Sequence, residues 1–465
     1  MSARHLSVYG YPRHTTPNLE RFAQHATVYH GHRAGGNFTA PGTASLLTGT
    51  YPWTHRAFHY AGFIKDTIVP HNLFALFGEE YFRLGYSQNP WGDLFLQQFD
   101  PAIDRHVLNG AFNLQNHLWF DNLFSNDPLI AYKAVDEFAL QTDVPSGTSL
   151  IALIHKVNLA LSNRVIAARY ADLYPYGVPY VFNGNSDFPP FLVEDIFDGL
   201  MSLIGELPQT SALAYLHVYP PHGPCYPRKD FAEIYRDDGF QPLQKPDHPF
   251  IEPVDAESIS YQRRFYDQYV ALTDSEFGRL YDYLSASGIL DNCYVIFTSD
   301  HGELYERGQA THLTPLLYEE IINVPLLISA PGQRERRDVF TPTSCVDVLP
   351  TLLNLAGLPS SDLTEGQLLP GFGGDANADR AVYTVEAKEN SAFAPLTRMT
   401  VAMIKGQYKL IYYNYPDYQT IEFYDLKNDP EELNDLTAQQ TAEMKSMRAE
   451  LMAMLDQVNA PYQRG

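Results

Sequence analysis

Tyr294-Val295-Ile296-Phe297-Thr298-Ser299-Asp300-His301-Gly302-Glu303 passes without a break from four apolar residues into a polar loop. The first four read as a short central strand, bounded and rich in β-branched and aromatic side chains. A carboxylate and an imidazole then follow at the strand's C-terminal edge, where open α/β sheets bind their ligands. Asp300 offers oxygen and His301 nitrogen to a divalent metal, and Gly302 lets the backbone turn beneath them. An Asp-His pair in a loop is more often structural than catalytic, so the surrounding chain has to decide.

Before this strand, a long helix is predicted from about Ser258, with Val270, Phe277, Leu280 and Leu284 on one face and Gly288 as its stop. Helix, strand and polar loop in that order is the parallel α/β pattern, and it recurs. Tyr318-Glu319-Glu320 leads to the strand Leu326-Leu327-Ile328, and a helix from Val346 to Ala356 stops at Gly357. Earlier, Ala212 to Val218 reads as a buried strand whose loop presents His222, while Thr16-Pro17 opens a helix carrying Leu19, Phe22, Ala23 and Ala26. The fold class is therefore α/β, a central mostly parallel sheet flanked by helices, over residues 1–378. An aromatic, turn-rich and irregular insert at about 100–209, with Trp119, Tyr174, Tyr176, Tyr180 and Pro189-Pro190, reads as a substrate-shaping region. Beyond about Asp379, strands at Met399 to Ile404 and Tyr408 to Tyr413, a turn at Asn428-Asp429-Pro430 and a helix from about Thr437 predict a small C-terminal α+β subdomain, 379–465.

A second candidate segment is Asn37-Phe38-Thr39-Ala40-Pro41-Gly42-Thr43-Ala44-Ser45-Leu46-Leu47-Thr48-Gly49. Pro41 suits the first position of a helix and Gly49 its stop, which puts the Thr39 hydroxyl just before the helix N-terminus. The N–H groups there favour a phosphate or sulfate. A lone threonine in such a place is usually only a cap. His312 and His222, in loops predicted at the same sheet edge as Asp300 and His301, weigh against that reading.

With 32 Lys and Arg against 55 Asp and Glu, the formal charge of −23 speaks against nucleic acid and anionic membranes as partners. An anionic ester, small or lipid-linked, would need a locally positive site, most simply a metal with histidines. Cys225, Cys293 and Cys345 form no disulfide framework, which fits a reducing cytoplasm. No run is long and apolar enough to span a bilayer.

Tyr9-Gly10-Tyr11, Thr15-Thr16-Pro17-Asn18-Leu19, the Thr39 segment through Tyr51-Pro52, Pro221-His222, the Ser299 to Glu303 loop, Leu317-Tyr318-Glu319-Glu320, Val324-Pro325-Leu326 and Tyr424-Asp425-Leu426 together resemble the sulfatase-like branch of the alkaline phosphatase superfamily. The resemblance implies that Thr39 occupies the nucleophile position and gives an oxygen to the metal, with Asp300 and His301 as further ligands. It also implies that His222 and His312 bind the oxyanion or protonate the leaving group. Glu303, Tyr318 and Glu319 look like supporting residues, and His30, His32, His55 and His59 read as surface residues. Mixed oxygen and imidazole ligation favours zinc or manganese over calcium.

Two departures from the family pattern matter. Sulfatases oxidise a cysteine or serine to formylglycine and follow it with proline and arginine, where this chain has Thr39, Pro41 and Thr43. Threonine cannot become an aldehyde, so the expectation is a threonine nucleophile acting on a phosphate ester, as in relatives resembling phosphoethanolamine transferases and lipoteichoic acid synthases. A sulfatase in fact and a catalytically impaired binding protein are the alternatives. Family members also open with an apolar strand ending in acidic ligands, expected just upstream of Met1, so the N-terminus reads as truncated.

Overall fold

The computed structural model describes residues 1–60, 62–114, 147–179 and 190–463. Its strands, in chain order, are β1 (Thr27–Tyr29), β2 (His32–Arg33), β3 (Phe82–Ser87), β4 (Arg105–Val107), β5 (Ala212–His217), β6 (Val295–Thr298), β7 (Leu304–Glu306), β8 (Gln309–Thr311), β9 (Leu326–Ser329), β10 (Arg337–Val339) and β11 (Thr343–Ser344), followed by β12 (Ala381–Glu386), β13 (Met399–Lys405), β14 (Tyr408–Tyr415) and β15 (Tyr418–Asp425). The opening stretch of the sequence is β6 and the loop after it.

The α/β class is as expected, and the sheets are mixed. One half-sheet runs β4-β3-β5, all parallel, and the other runs β10-β1-β9-β6. In the second, β1 is parallel to β10, while β9 lies antiparallel to both β1 and β6. The repeated helix-strand pattern predicted a parallel β6 and β9. A parallel return needs a crossover of a dozen or more residues, usually helical. The connection here holds only the β7-β8 hairpin and the single helical turn Glu319–Ile322, so the chain comes back antiparallel.

Among the described residues, β5 and β6 are edge strands with no ladder between them. Their C-terminal ends nevertheless converge, with His217 Nε2 3.9 Å from Asp300 Oδ2. Every residue of β6 is only half-buried, and β5 is half-buried except for the exposed Ala214. Apolar strands at the centre of an α/β domain are normally buried on both faces. The outward edges of β5 and β6 are thus in partial contact with solvent, and the Met1 ammonium lies just beyond the end of β6, bonded to Ser299 Oγ (2.5 Å) and to the His301 carbonyl (2.6 Å).

The helix Ala256–Ala286 lies on the core cluster that holds Leu84, Tyr86, Tyr266, Val270, Phe277 and Leu327. Within the predicted insert, two helices replace the irregular chain expected there, Thr148–Tyr170 and Val193–Gly205. The second has a plain apolar stripe, Val193, Ile196, Phe197, Leu200 and Leu203. The first leaves Leu150, Leu153, Val157, Leu161 and Val165 exposed, a stripe at helical spacing that its polar and aromatic neighbours hid. Trp119, Tyr180 and Pro189 lie outside the described residues, whereas Tyr174 is buried and donates to Glu194 at 2.6 Å.

The C-terminal part forms an antiparallel sheet, β12-β13-β14-β15, two strands more than the pattern predicted. The helix Ala442–Asn459, starting five residues later than expected, packs Met444, Met447, Leu451 and Leu455 on one face with Val401, Met403 and Leu410. Ile404, Ile411 and Tyr413 join Leu316, Leu317 and Ile321 on the other.

Candidate functional site

Thr39 is the first residue of the helix Thr39–Thr48, and Phe38, extended at ψ 175°, is its cap. The helix thus begins two residues before the Pro41 start read from the sequence, because the Gly42 N–H already closes onto the Phe38 carbonyl at 3.1 Å. Gly49 ends it at φ 64°, as expected. Thr39 is buried, and its Oγ1 accepts from Asn89 Nδ2 at 3.1 Å. The first N–H groups of the helix have no partner within it, which leaves a partial positive charge beside that hydroxyl.

This helix is pressed onto the Asp300 loop. A Cβ on Gly42 would stand 2.3 Å from the Asp300 carbonyl oxygen, so only glycine permits the approach. Thr43 Oγ1 reaches Asp300 Oδ2 at 3.4 Å, and Asn37 Nδ2 donates to the carbonyls of His312 (3.0 Å) and Thr314 (2.7 Å). Gly302 serves close packing as well, not the sharp turn expected of it. Its Cβ would meet the Glu320 carbonyl oxygen at 2.1 Å, and its N–H bonds the Ile321 carbonyl at 2.7 Å.

The histidines converge. Ring centroids are 4.4 Å apart for His301 and His312, 5.0 Å for His222 and His312, and 6.5 Å for His222 and His301. Nδ1 of His301 faces the Gly302 carbonyl at 2.8 Å, and Nδ1 of His222 faces the Gly223 carbonyl at 2.7 Å. A carbonyl only accepts, so both Nδ1 atoms carry the proton and each Nε2 presents a lone pair. His312 Nδ1 lies 2.9 Å from Glu303 Oε2. Such anchoring of one ring nitrogen by a carbonyl or carboxylate is what metal-binding and catalytic histidines show.

Burial pushes His301 down to about 3 and His222 down to about 4, Asp300 opposing it for the first, and His312 reinforcing it for the second. Burial alone would raise the Asp300 carboxyl, but the imidazoles of His301 and His217 and the Met1 ammonium outweigh it and hold Asp300 below the usual carboxylate range. Glu303 is likewise held at about 2, burial being overcome by His312, His222 and His301.

These residues fit a divalent cation in part. His301 Nε2, an acceptor, faces the Asp300 carboxylate at 3.7 Å, two lone-pair groups that a cation between them would satisfy. Among the described residues, however, no group of three or more His, Cys, Asp and Glu side chains is gathered closely enough to hold a metal by itself. Asp300, His301 and the Thr39 hydroxyl would therefore share the ion with further oxygen donors.

Two members of the site were missed from sequence. His217, half-buried at the end of β5, turns Nε2 toward Asp300 and lies with Nδ1 3.2 Å from the Tyr215 hydroxyl. Its place at a strand's C-terminal edge was the available signal. Asn89, which holds Thr39, caps the helix Pro90–Phe99 and carried no signal beyond that cap. His32 and His55, expected at the surface, are fully buried, bonded to Thr343 and Ser45, and His30 is paired with Asp338; none of the three contacts the site histidines. Tyr318 and Glu319 contact Glu422, Arg33 and Lys409, away from Thr39. The three cysteines are free, and no described helix is long and apolar enough to cross a membrane.

The chain is similar to known proteins in sequence and in fold. The sulfatase family profile matches residues 1–358, and that of the N-sulphoglucosamine sulphohydrolase C-terminal region matches residues 314–460. The chain is 30% identical over 239 residues to the choline-sulfatase of Rhizobium meliloti, covering 46% of this chain and 44% of that protein. It is 28% identical over 210 residues to arylsulfatase K of Xenopus laevis, covering 44% and 39%. It thus spans less than half the length of these two relatives. The ulvan-active sulfatase of Formosa agariphila aligns with 97% of the chain and 77% of its own length at 24% identity. In fold, the chain is similar to the phosphonate monoester hydrolase of Agrobacterium radiobacter (TM-score 0.67, 19% identity, 99% of this chain and 94% of that one). A sulfatase structure from Bacteroides fragilis gives 0.66 at 17% identity, with the same two coverages.

Proposed function

We propose, for a chain that belongs to the sulfatase family, that the Thr39 helix and the Asp300 loop form a metal-dependent hydrolytic site for an anionic ester. The observation that carries this reading is the lone pair of His301 Nε2 aimed at the Asp300 carboxylate, 3.7 Å away, against the helix that Thr39 opens. Sulfate is the first substrate class, since the relatives from Rhizobium and Xenopus are sulfatases by name. The resemblance read from the sequence favours a phosphate ester instead. By that resemblance Thr39 would stand where sulfatases carry an oxidisable residue, and Thr43 where they carry an arginine.

The chain's own groups divide the work. The helix N-terminus binds the equatorial oxygens of the ester, and Asn89 orients Thr39 Oγ1. As Thr39 oxygen bonds to the central atom, its proton passes to solvent water and the bond to the departing alkoxide breaks. His312 protonates that alkoxide, and the Glu303 carboxylate, charged at neutral pH, stabilises the positive ring. His222, kept neutral by burial, takes the proton of the water that cleaves the threonine ester. A divalent ion held by Asp300, His301 and Thr39, zinc or manganese by its donors, would supply Lewis acidity there.

The test is turnover of an aryl sulfate beside an aryl phosphodiester, by wild type, Thr39→Ala and Thr39→Ser. Thr39→Ala should lose about 10³-fold in kcat at unchanged Tm, and Thr39→Ser should keep most of it. Turnover of the phosphodiester alone would reverse the order of the two substrates. Undiminished turnover by Thr39→Ala would overturn the nucleophile.

A further inference from the structure

A cleft of about 620 Å³ lies between residues 235–242 and the first turns of the helix Ala256–Ala286, and it shares no residue with the site above. Four arginines line it, and they are unequally engaged. Arg13 is paired with Asp238 at 2.7 Å and with Asp267 at 2.8 Å, and Arg236 with Glu233 at 2.8 Å. Arg263 is only 9% exposed and has no carboxylate partner among the described residues. One terminal nitrogen donates to the Tyr305 carbonyl, while its buried Nε has no acceptor. Arg264 also meets no carboxylate among the described residues, its buried Nε is likewise unsatisfied there, and its guanidinium lies 5.5 Å from the Tyr261 ring centroid.

A buried charged donor without an acceptor is costly. Arg4 Nε and Arg307 Nε share that state, but those side chains have Glu431 and Glu306 as carboxylate neighbours, which Arg263 and Arg264 lack among the described residues. Two such donors on one cleft wall, in a chain of net charge −23, mark a place where negative charge is wanted against the general field. The planar guanidinium fork matches carboxylate and sulfate alike. Tyr261, exposed and also lining the cleft, offers a flat face to a ring, whereas the Phe240 ring already carries the Arg13 guanidinium 4.4 Å from its centroid. Asp237 and Glu257 line it too, both exposed to water, and would discourage a ligand of high charge density.

We infer that this cleft is a second oxyanion site, for an acidic group carried on a ring. Arg263 and Arg264 would take its oxygens while Tyr261 flanks the carrier. The inference stands independently of the ester-hydrolysis reading.

Calorimetric titration of the full chain with glucuronate, inorganic sulfate and glucose tests it, in wild type and in Arg264→Gln, with Arg263→Gln as a second variant if it folds. The expected result is that glucuronate binds at least about tenfold more tightly than sulfate, with no heat from glucose. Arg264→Gln should weaken glucuronate at least about tenfold while turnover of a small aryl ester stays unchanged. Sulfate binding as tightly as glucuronate would overturn the ring and leave a site for the free anion. Glucuronate binding equally to wild type and Arg264→Gln, or to neither, would overturn the site itself.

Discussion

The two half-sheets that carry the site and the C-terminal sheet are built to different degrees of closure. Strands β12 to β15 pair through ladders of six, seven and eight residues, and both faces are covered by apolar side chains. Across the site, β5 and β6 remain unladdered edges, half in contact with solvent, and it is at their ends that the histidines and Asp300 gather. The candidate site lies where strand pairing is least complete, and the fully paired sheet lies away from it.

The comparison breaks hardest at the seam between the two parts. Lys409 on β14 is fully buried, 2.6 Å from Glu432 and 3.2 Å from Glu319, and Glu319 also pairs with Arg33 at 2.7 Å. Lys409→Met should cost about 3–5 kcal/mol in urea unfolding, because it strands buried carboxylates. Lys405→Met, which breaks a half-exposed pair with Glu450, should cost less than about 1 kcal/mol. Similar losses from the two would show that the seam is not what holds the sheet to the domain.

Acid should sharpen the contrast next. His32 and His55 are buried and pushed down to about 3, burial being the larger cause for each. Their folded pKa lies below the ordinary value of about 6.5, so the unfolded chain binds more protons between these limits. Stability is complete above about pH 6.5 and falls as pH drops toward 3, by up to about 1.4 kcal/mol per pH unit for each ring. Chemical denaturation at pH 7, 6, 5 and 4 should show that slope, and His55→Gln should flatten it. An unchanged slope would remove His55 as its source.

The smallest effect concerns the unpaired edges of β5 and β6. The Met1 ammonium bonds Ser299 and His301, directly after β6, so residues added ahead of Met1 would run parallel to β6 along its open edge. Adding about five β-branched residues should pair both edges and raise Tm by about 3 °C. An unchanged Tm, with the added residues open to proteolysis, would mean that the edges do not receive a strand.

Much of this was legible in the sequence because it depended on neighbours along the chain. The apolar run of β6, Asp300 and His301 directly after it, and the Gly49 stop needed only local periodicity and a residue of positive φ. What was illegible depended on residues far apart. The antiparallel return of β9 turned on how little helix the connection holds, and the role of Gly302 turned on the Glu320 carbonyl. His217 is recognisable only when β5 and β6 are seen to end together. His32 and His55 carried no mark to tell a buried imidazole from an exposed one.

Glu319 and Glu320 have a consequence beyond their ion pairs. The Glu320 carbonyl receives the Glu303 N–H at 3.1 Å and the Ile321 carbonyl receives that of Gly302, so this short turn is the backrest of the histidine-bearing loop. The side chain of Glu319 and its N–H are gripped from the other side by Lys409 and Glu432. The residues from β12 onward are thus no detachable appendage. A chain shortened before β12 would keep Asp300, His301 and Thr39 in its sequence yet lose the brace behind them, and grafting this C-terminal part onto another catalytic domain would require the turn to travel with it.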